Sequence, residues 1–343
     1  NFPNSAADPG PRIGQFPTDP FLVNGPTVNL ALLKQMFPAG TRIKNTGTVT
    51  LDNADRVVPR SDQLTVGYEH QFGGAISGSA DYVRVFGRSL LLTQDLNKGS
   101  RATTSATAPV VRPNPNFSNA VNTPINGGNT DYDALLAQVE KRFTGNLSLR
   151  VSYTLSYARG NNSGSGFPAS NFQVGQDMNL ALNQGPTDFD RRHNLVISGR
   201  AIVPYTHGMT FSWVARALSG LPFTLLNNDV DVDRNGTLFD PIPTGTYSGA
   251  GASDNFTVED FNGRRNGARG PGFFQLDTRF GYRINLLNRR TLDISADVFN
   301  LTNRANFAIP GTNKASAATF LVISALRDGA APRTAQIGVR FGF

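Results

Sequence analysis

The closing stretch of the chain, Arg333 to Phe343, reads RTAQIGVRFGF and alternates without a break. Ala335, Ile337, Val339, Phe341 and Phe343 are apolar, and Thr334, Gln336, Gly338, Arg340 and Gly342 between them are polar or tiny. Successive side chains of a β-strand point to opposite faces, so this period of two specifies a strand with one greasy and one wet face. Chain ends are more often frayed and polar than ordered strands that stop on an aromatic residue. The pattern constrains the fold only if the rest of the chain repeats it.

It does so from Asp62 onwards, as strand, very short turn, strand, long polar loop. The first hairpin is DQLTVGYEHQF (62–72), Gly73-Gly74, then AISGSADYVRVFG (75–87). The second is DYDALLAQVEKRF (131–143), a turn at Gly145-Asn146, then LSLRVSYTLSYAR (147–159), the cleanest alternation in the chain. RRHNLVISGRAIVP (191–204) and MTFSWVARALSG (209–220) form the third. FFQLDTRFGYRINL (273–286) and RTLDISADVFNLTN (290–303) form the fourth, joined at Leu287-Asn288-Arg289. Residues 1–60 are proline-dense and loop-like, with a short helical turn expected over 28–37.

The result is an all-β chain of about nine strands whose short turns lie on one side and long loops on the other. Transmembrane antiparallel β-barrels have this asymmetry, with short periplasmic turns and long extracellular loops. Aromatics at strand ends (Phe72, Tyr82, Phe143, Tyr157, Phe211, Tyr282, Phe343) are placed as interfacial girdles. The other face carries Glu69, Glu140, Arg150, Arg200, Arg216, Asp277, Arg279, Arg283, Asp293, Asp297 and Arg340. Unpaired ions in a dry core cost several kcal/mol each, so these residues are expected to face a hydrated or plugged lumen.

Composition sets limits. No run approaches the ~18 apolar residues of a membrane-spanning helix, whereas alternating strands keep average hydropathy low. There is no cysteine, which removes disulfides and thiolate metal sites. The net charge of +7 is scattered rather than gathered in a basic run, which argues against nucleic acid. Bacterial single-chain barrels have an even number of strands, so about nine imply the C-terminal part of a larger barrel. The start at Asn1, without methionine or signal peptide, fits a truncated start.

DYDALLAQVEKRF (131–143), VSYTLSYA (151–158), DFDRRHNLVISG (188–199), LSGLPFTL (218–225), GPGFFQLDTRFGYRI (270–284), ADVFNLTNRANF (296–307) and IGVRFGF (337–343) recur in one order and spacing. In these the chain resembles the C-terminal barrel half of TonB-dependent outer-membrane receptors, in the Oar-like group with a carboxypeptidase-regulatory-like domain. The resemblance implies a wide barrel, of which residues 61–343 would supply the last strands out of about 22. It also implies an N-terminal plug and a TonB box that contacts TonB; neither is recognisable in this chain. Further expected partners are outer-membrane lipid and lipopolysaccharide, the barrel-assembly machinery through the Phe343 strand, and an unidentified solute.

Two clusters could carry chemistry. DFDRRH (188–193) holds carboxylates, arginines and a histidine but has no evident nucleophile, so a structural rim is expected rather than an active site. His70 and His207 fall near short turns. DVDVDRNGTLFD (229–240) matches the opening of a calcium loop at Asp231, Asp233, Asn235 and Gly236, with Asp240 and Asp229 as supplementary ligands. The closing Glu of that pattern is replaced by Ile242. The expectation is a non-enzymatic receptor for a large or scarce solute, with no cofactor beyond this candidate calcium. The alternatives are an adhesive barrel that displays loops, a passive porin, and a hydrolase built on DFDRRH.

Overall fold

The structure, a computed structural model, describes residues 47–162, 180–249, 255–259, 265–286 and 290–343. The turns expected at 28–37 and 287–289 lie outside them. The wall consists of β1 (Arg60–Phe72), β2 (Ile76–Asp95), β3 (Val121–Thr144), β4 (Leu147–Gly160), β5 (His193–Ile202), β6 (Thr210–Leu218), β7 (Phe273–Asn285), β8 (Thr291–Phe299) and β9 (Thr334–Gly342). Each strand pairs antiparallel with the next in chain order, from β1 at one edge to β9 at the other. No described helix is long and apolar enough to cross a membrane.

Short connections allow this meander. Between β3 and β4 the chain reverses through Gly145 (φ 58°) and Asn146 (φ 66°). Both have the positive φ that a type I′ turn needs to match the twist of its strands, and only glycine and asparagine adopt it cheaply. The strand ends at Phe72/Ile76, Ile202/Thr210 and Asn285/Thr291, joined by the remaining short connections, lie at the same end of the sheet. The strand ends at Asp95/Val121, Gly160/His193, Leu218/Phe273 and Phe299/Thr334, joined by the long connections, lie at the opposite end.

Register separates the two faces. Asp297 pairs with Arg279 and Gln336, while its neighbour Val298 pairs with Thr278 and Ala335. Followed across the sheet, one face gathers Leu64, Val66, Tyr68, Leu149, Val151, Phe280, Ile294, Ile337 and Val339. Most of these side chains stay exposed, Ile337 by 80% and Tyr68 by 69%, while Leu149 and Val151 are half-buried. An apolar patch of this extent needs an apolar surrounding, because soluble surfaces rarely expose more than a few hundred Å². On this face the Trp213 indole lies across Gly199, where any added Cβ would enter the ring, and stacks on Phe211 at 5.4 Å.

The buried apolar core sits outside the wall, at the long-loop end. Phe223, Leu225, Ile242, Phe256, Val258, Ala268, Phe320 and Leu321 pack there into one cluster, with the Phe223 and Phe256 rings edge to face at 5.6 Å. The long connections, polar in the sequence, thus fold over a small core of their own and form a cap. One of them, between β2 and β3, is also shorter than expected. β2 runs on to Asp95 and β3 begins at Val121, giving strands of 20 and 24 residues, whereas a tilted strand crosses a bilayer in ~9–11. Pairing persists through bulges on either side of Leu90, and the neighbours Leu91 and Leu92 are both buried, which breaks the alternation there.

Candidate functional site

The polar face is built from cross-strand pairs. Register puts Arg150, Arg200, Arg216, Asp277, Arg279, Arg283, Asp293, Asp297 and Arg340 all on this one face, together with Glu69 and Glu140. Arg150 donates to Glu140 at 2.6 Å, and Arg283 grips Asp293 through Nε and Nη2 at 2.5 and 3.0 Å. Arg279 binds Asp297 in the same bidentate way, and Arg216 stands 3.5 Å from Asp277. Arg340 lies opposite Asp293 in the register. Between the pairs run small hydroxyl residues, Ser148, Ser198 and Ser212, which border a shallow concavity of about 490 Å³ with Arg150, Arg279 and Asp297. Paired charge and hydroxyls make a surface that hydrogen-bonds water or a polar solute.

One aromatic departs from its expected side. Phe143 was assigned to the apolar face, but a bulge between Lys141 and Thr144 shifts the alternation. The ring turns to the polar face, where the Arg200 guanidinium stands over it at 5.9 Å. Phe72, Tyr82, Tyr157, Phe211 and Tyr282 keep to the apolar face by register, and Phe343, just past β9, stacks on Phe341.

The acidic loop closes on itself. Asp231, Asp233 and Asp240 bring carboxylate oxygens within 4.8 Å of one another, and Asp231 is fully buried. Asp231 accepts the amides of Asn235 (2.9 Å) and Gly236 (2.8 Å), while Asp240 accepts that of Val232 (2.9 Å). Burial, reinforced by the neighbouring Asp231, raises the Asp233 pKa. Asn235 is buried but turns its carbonyl oxygen to Thr237. Asp229 is exposed and stands outside the carboxylate cluster, and Ile242 belongs to the apolar cap core, so it replaces the closing ligand with packing. The strongest cation in the cluster is Arg101, from the β2–β3 connection, which donates to Asp231 at 2.8 Å. No sequence pattern links residues that far apart.

DFDRRH is a structural joint. Asp190 is buried, accepts the Ala158 amide at 2.7 Å and is ion-paired with Arg269. Arg191 donates to the Ser219 carbonyl at 2.8 Å, and burial together with Arg327 lowers its pKa. The His193 ring meets the Tyr153 hydroxyl at 2.8 Å, and its backbone amide donates to the Ser219 hydroxyl oxygen at 3.0 Å. Below it, Arg265 is buried and donates to the carbonyls of Asn183 (2.6 Å), Gly160 and Gly185 (3.3 Å). Desolvation pulls its pKa down to about 10, with Asp188 opposing. Asn266 adds bonds to Pro186 and Asp188 at 2.8 and 2.7 Å. Arg265 and Asn266 thus pin two long connections together, a role that residue types alone did not reveal.

The family profile described as outer membrane beta barrel domain matches residues 2–336. No curated protein matches the chain. Among solved structures, the chain is similar to the outer membrane transporter YddB from Escherichia coli, at 15% identity and a TM-score of 0.47. That match covers 86% of this chain, which spans about a third (33%) of the transporter's length.

Proposed function

The chain belongs to the outer membrane beta barrel domain family and resides in the outer membrane, and from that premise we propose that it is a barrel segment of a TonB-dependent, Oar-like receptor that binds and imports a solute. The observation that carries this reading is the two-sided wall: a charge-paired, hydroxyl-lined face back to back with an apolar face that no described residue covers as a second layer. In a membrane the apolar side meets lipid and the polar side meets the lumen. The lumen-facing pairs Arg150–Glu140, Arg216–Asp277, Arg279–Asp297 and Arg283–Asp293 then form a wet track, and the cap of long connections stands over its outer mouth. The motif resemblance adds the plug and the TonB contact, and residues 61–343 are the barrel's C-terminal part. Solute recognition belongs to the cap and the upper polar face, and DFDRRH serves as scaffold without catalysis.

Two measurements on the full-length protein separate this from its rivals. A plugged receptor in a planar lipid bilayer passes no steady ion current, and in cells it cross-links to TonB. A permanently open pore would replace the reading with a passive porin. A closed barrel without TonB contact would leave an adhesive surface protein.

A further inference from the structure

At its outer end the polar face gathers arginines around an aromatic ring rather than around carboxylates. Gln275 of β7 stands opposite Arg216 of β6, and two residues further out Phe273 stands opposite Leu218. By register Phe273 shares the polar face with Asp277 and Arg279, and so does Phe299 of β8, which is 42% exposed. The guanidinium carbons of Arg216 and Arg327 each lie 5.8 Å from the Phe273 ring centroid. Arg327 comes from the β8–β9 connection, so the ring collects cations from separate parts of the chain. A third arginine, Arg191 of the β4–β5 connection, is close enough to Arg327 to feel its charge. Burial, and then that neighbouring positive charge, lower the Arg191 pKa.

Few of the N–H groups of these three arginines are engaged. Arg191 donates through Nη1 to the Ser219 carbonyl at 2.8 Å, and Arg327 through Nη2 to the Pro271 carbonyl at 3.2 Å. Arg327 Nη1 is shielded from solvent without a partner among the described residues, and a buried donor that lacks an acceptor is destabilising. Arg216 reaches Asp277 only at 3.5 Å. Asp277 is itself committed elsewhere: it accepts Gln275 Nε2 at 2.8 and 2.9 Å and the Asn300 amide at 2.8 Å. Asp328, next in sequence to Arg327, is exposed. Among the described residues Asp277 is the one carboxylate within ion-pair range of the three guanidinium groups.

We propose that Arg191, Arg216 and Arg327, set around Phe273 at the outer mouth of the lumen, bind an oxyanion group, carboxylate or phosphate, carried on an apolar or aromatic framework. Planar guanidinium forks match the oxygens of both groups through paired N–H donors. Phe273 and the exposed Phe299 offer ring surface to the framework behind the anion. The concavity of the polar face, bordered by Asp277 and Phe299, adjoins the cluster and gives the rest of the solute room. The inference rests on the receptor reading and deepens it, because it gives the solute a class: an organic anion with an apolar part.

The experiment is saturation-transfer NMR on the full-length protein in micelles of a deuterated, uncharged detergent. Benzoate and phenyl phosphate are the probes, and benzyl alcohol is the uncharged control. The wild type is expected to saturate at least one of the two anions, and the stronger of them identifies the preferred oxyanion. The variant R216Q/R327Q is expected to bind that anion about tenfold more weakly, in line with the loss of charge-assisted hydrogen bonds. Benzyl alcohol saturated as strongly as the anions, or anion binding that survives in the variant, would overturn the proposal. Should the double variant fail to fold, D277N, which removes the competing carboxylate, is expected to strengthen anion binding; no gain would overturn it as well. Anion binding without a TonB cross-link would keep the site and remove the receptor reading, and a TonB cross-link without anion binding would do the reverse.

Discussion

Arg279 on β7 and Asp297 on β8 stand directly opposite each other on the polar face and are joined through both forks, Nε to Oδ1 and Nη2 to Oδ2, the latter at 2.8 Å. Gln336 on β9 reaches the same carboxylate at 3.1 Å, so Asp297 ties three strands together. The Arg279 side chain is 60% exposed, and water screens the pair. A double-mutant cycle of Arg279→Ala and Asp297→Ala is therefore expected to give a coupling of about 0.5–1 kcal/mol by urea unfolding in micelles. A coupling near zero would show that the pair fixes geometry without adding stability.

Gly199 carries a second expectation. Its missing side chain is the space in which Trp213 lies flat. Gly199→Val should overpack that space, at a cost of about 1–3 kcal/mol. Trp213 is the single tryptophan, so its fluorescence reports the change directly. The variant should show a shifted emission maximum in the folded barrel and an earlier unfolding midpoint. Unchanged emission would mean that the ring packs elsewhere.

Arg265 ties the cap to the outer end of β4 through the Gly160 carbonyl and should matter for the cap more than for the membrane-spanning wall. Arg265→Ala leaves buried carbonyls of Gly160, Asn183 and Gly185 without their donor, at a cost of about 1–3 kcal/mol in local stability. Limited proteolysis should then cut the long connections faster, while the barrel keeps its heat-dependent mobility shift on SDS gels. Collapse of both together would tie the cap to the wall.

The acidic loop answers to metal removal. Arg101 already supplies positive charge to Asp231, whose oxygens are also taken by two amides. Calcium chelation is therefore expected to leave the cap's protease resistance unchanged, whereas Arg101→Ala should make it calcium-dependent. Loss of resistance in the chelated wild type would show that a metal outranks the arginine.

The wall was legible because alternation is local: β4 and β9 state both of their faces in consecutive residues. The paired charges on the polar face follow from the same rule, since register needs only the turns and the parity of each strand. What could not be read depends on distant neighbours. Leu91 and Leu92 break the alternation where the register shifts beside Leu90. Phe143 changes face through a bulge that leaves no mark in residue type. The cap core joins Phe223, Ile242 and Phe256, far apart within one connection, to Phe320 from another. Asp231, Asp233 and Asn235 match the opening of a cation loop, yet the arginine that pairs with Asp231, Arg101, comes from the distant β2–β3 connection.

The uneven lengths of the connections bear on how the wall is assembled. Strands joined by Gly145-Asn146 or by 73–75 meet at small sequence separation, so each hairpin closes with little loss of chain entropy. The long connections enter the count only when one finished hairpin docks on the next. Contact order is therefore low within hairpins and high between them, and topology of that kind slows the later step far more than the first. The barrier to a complete wall then lies in annealing prefabricated pairs edge to edge, with β9 as the last single strand to add.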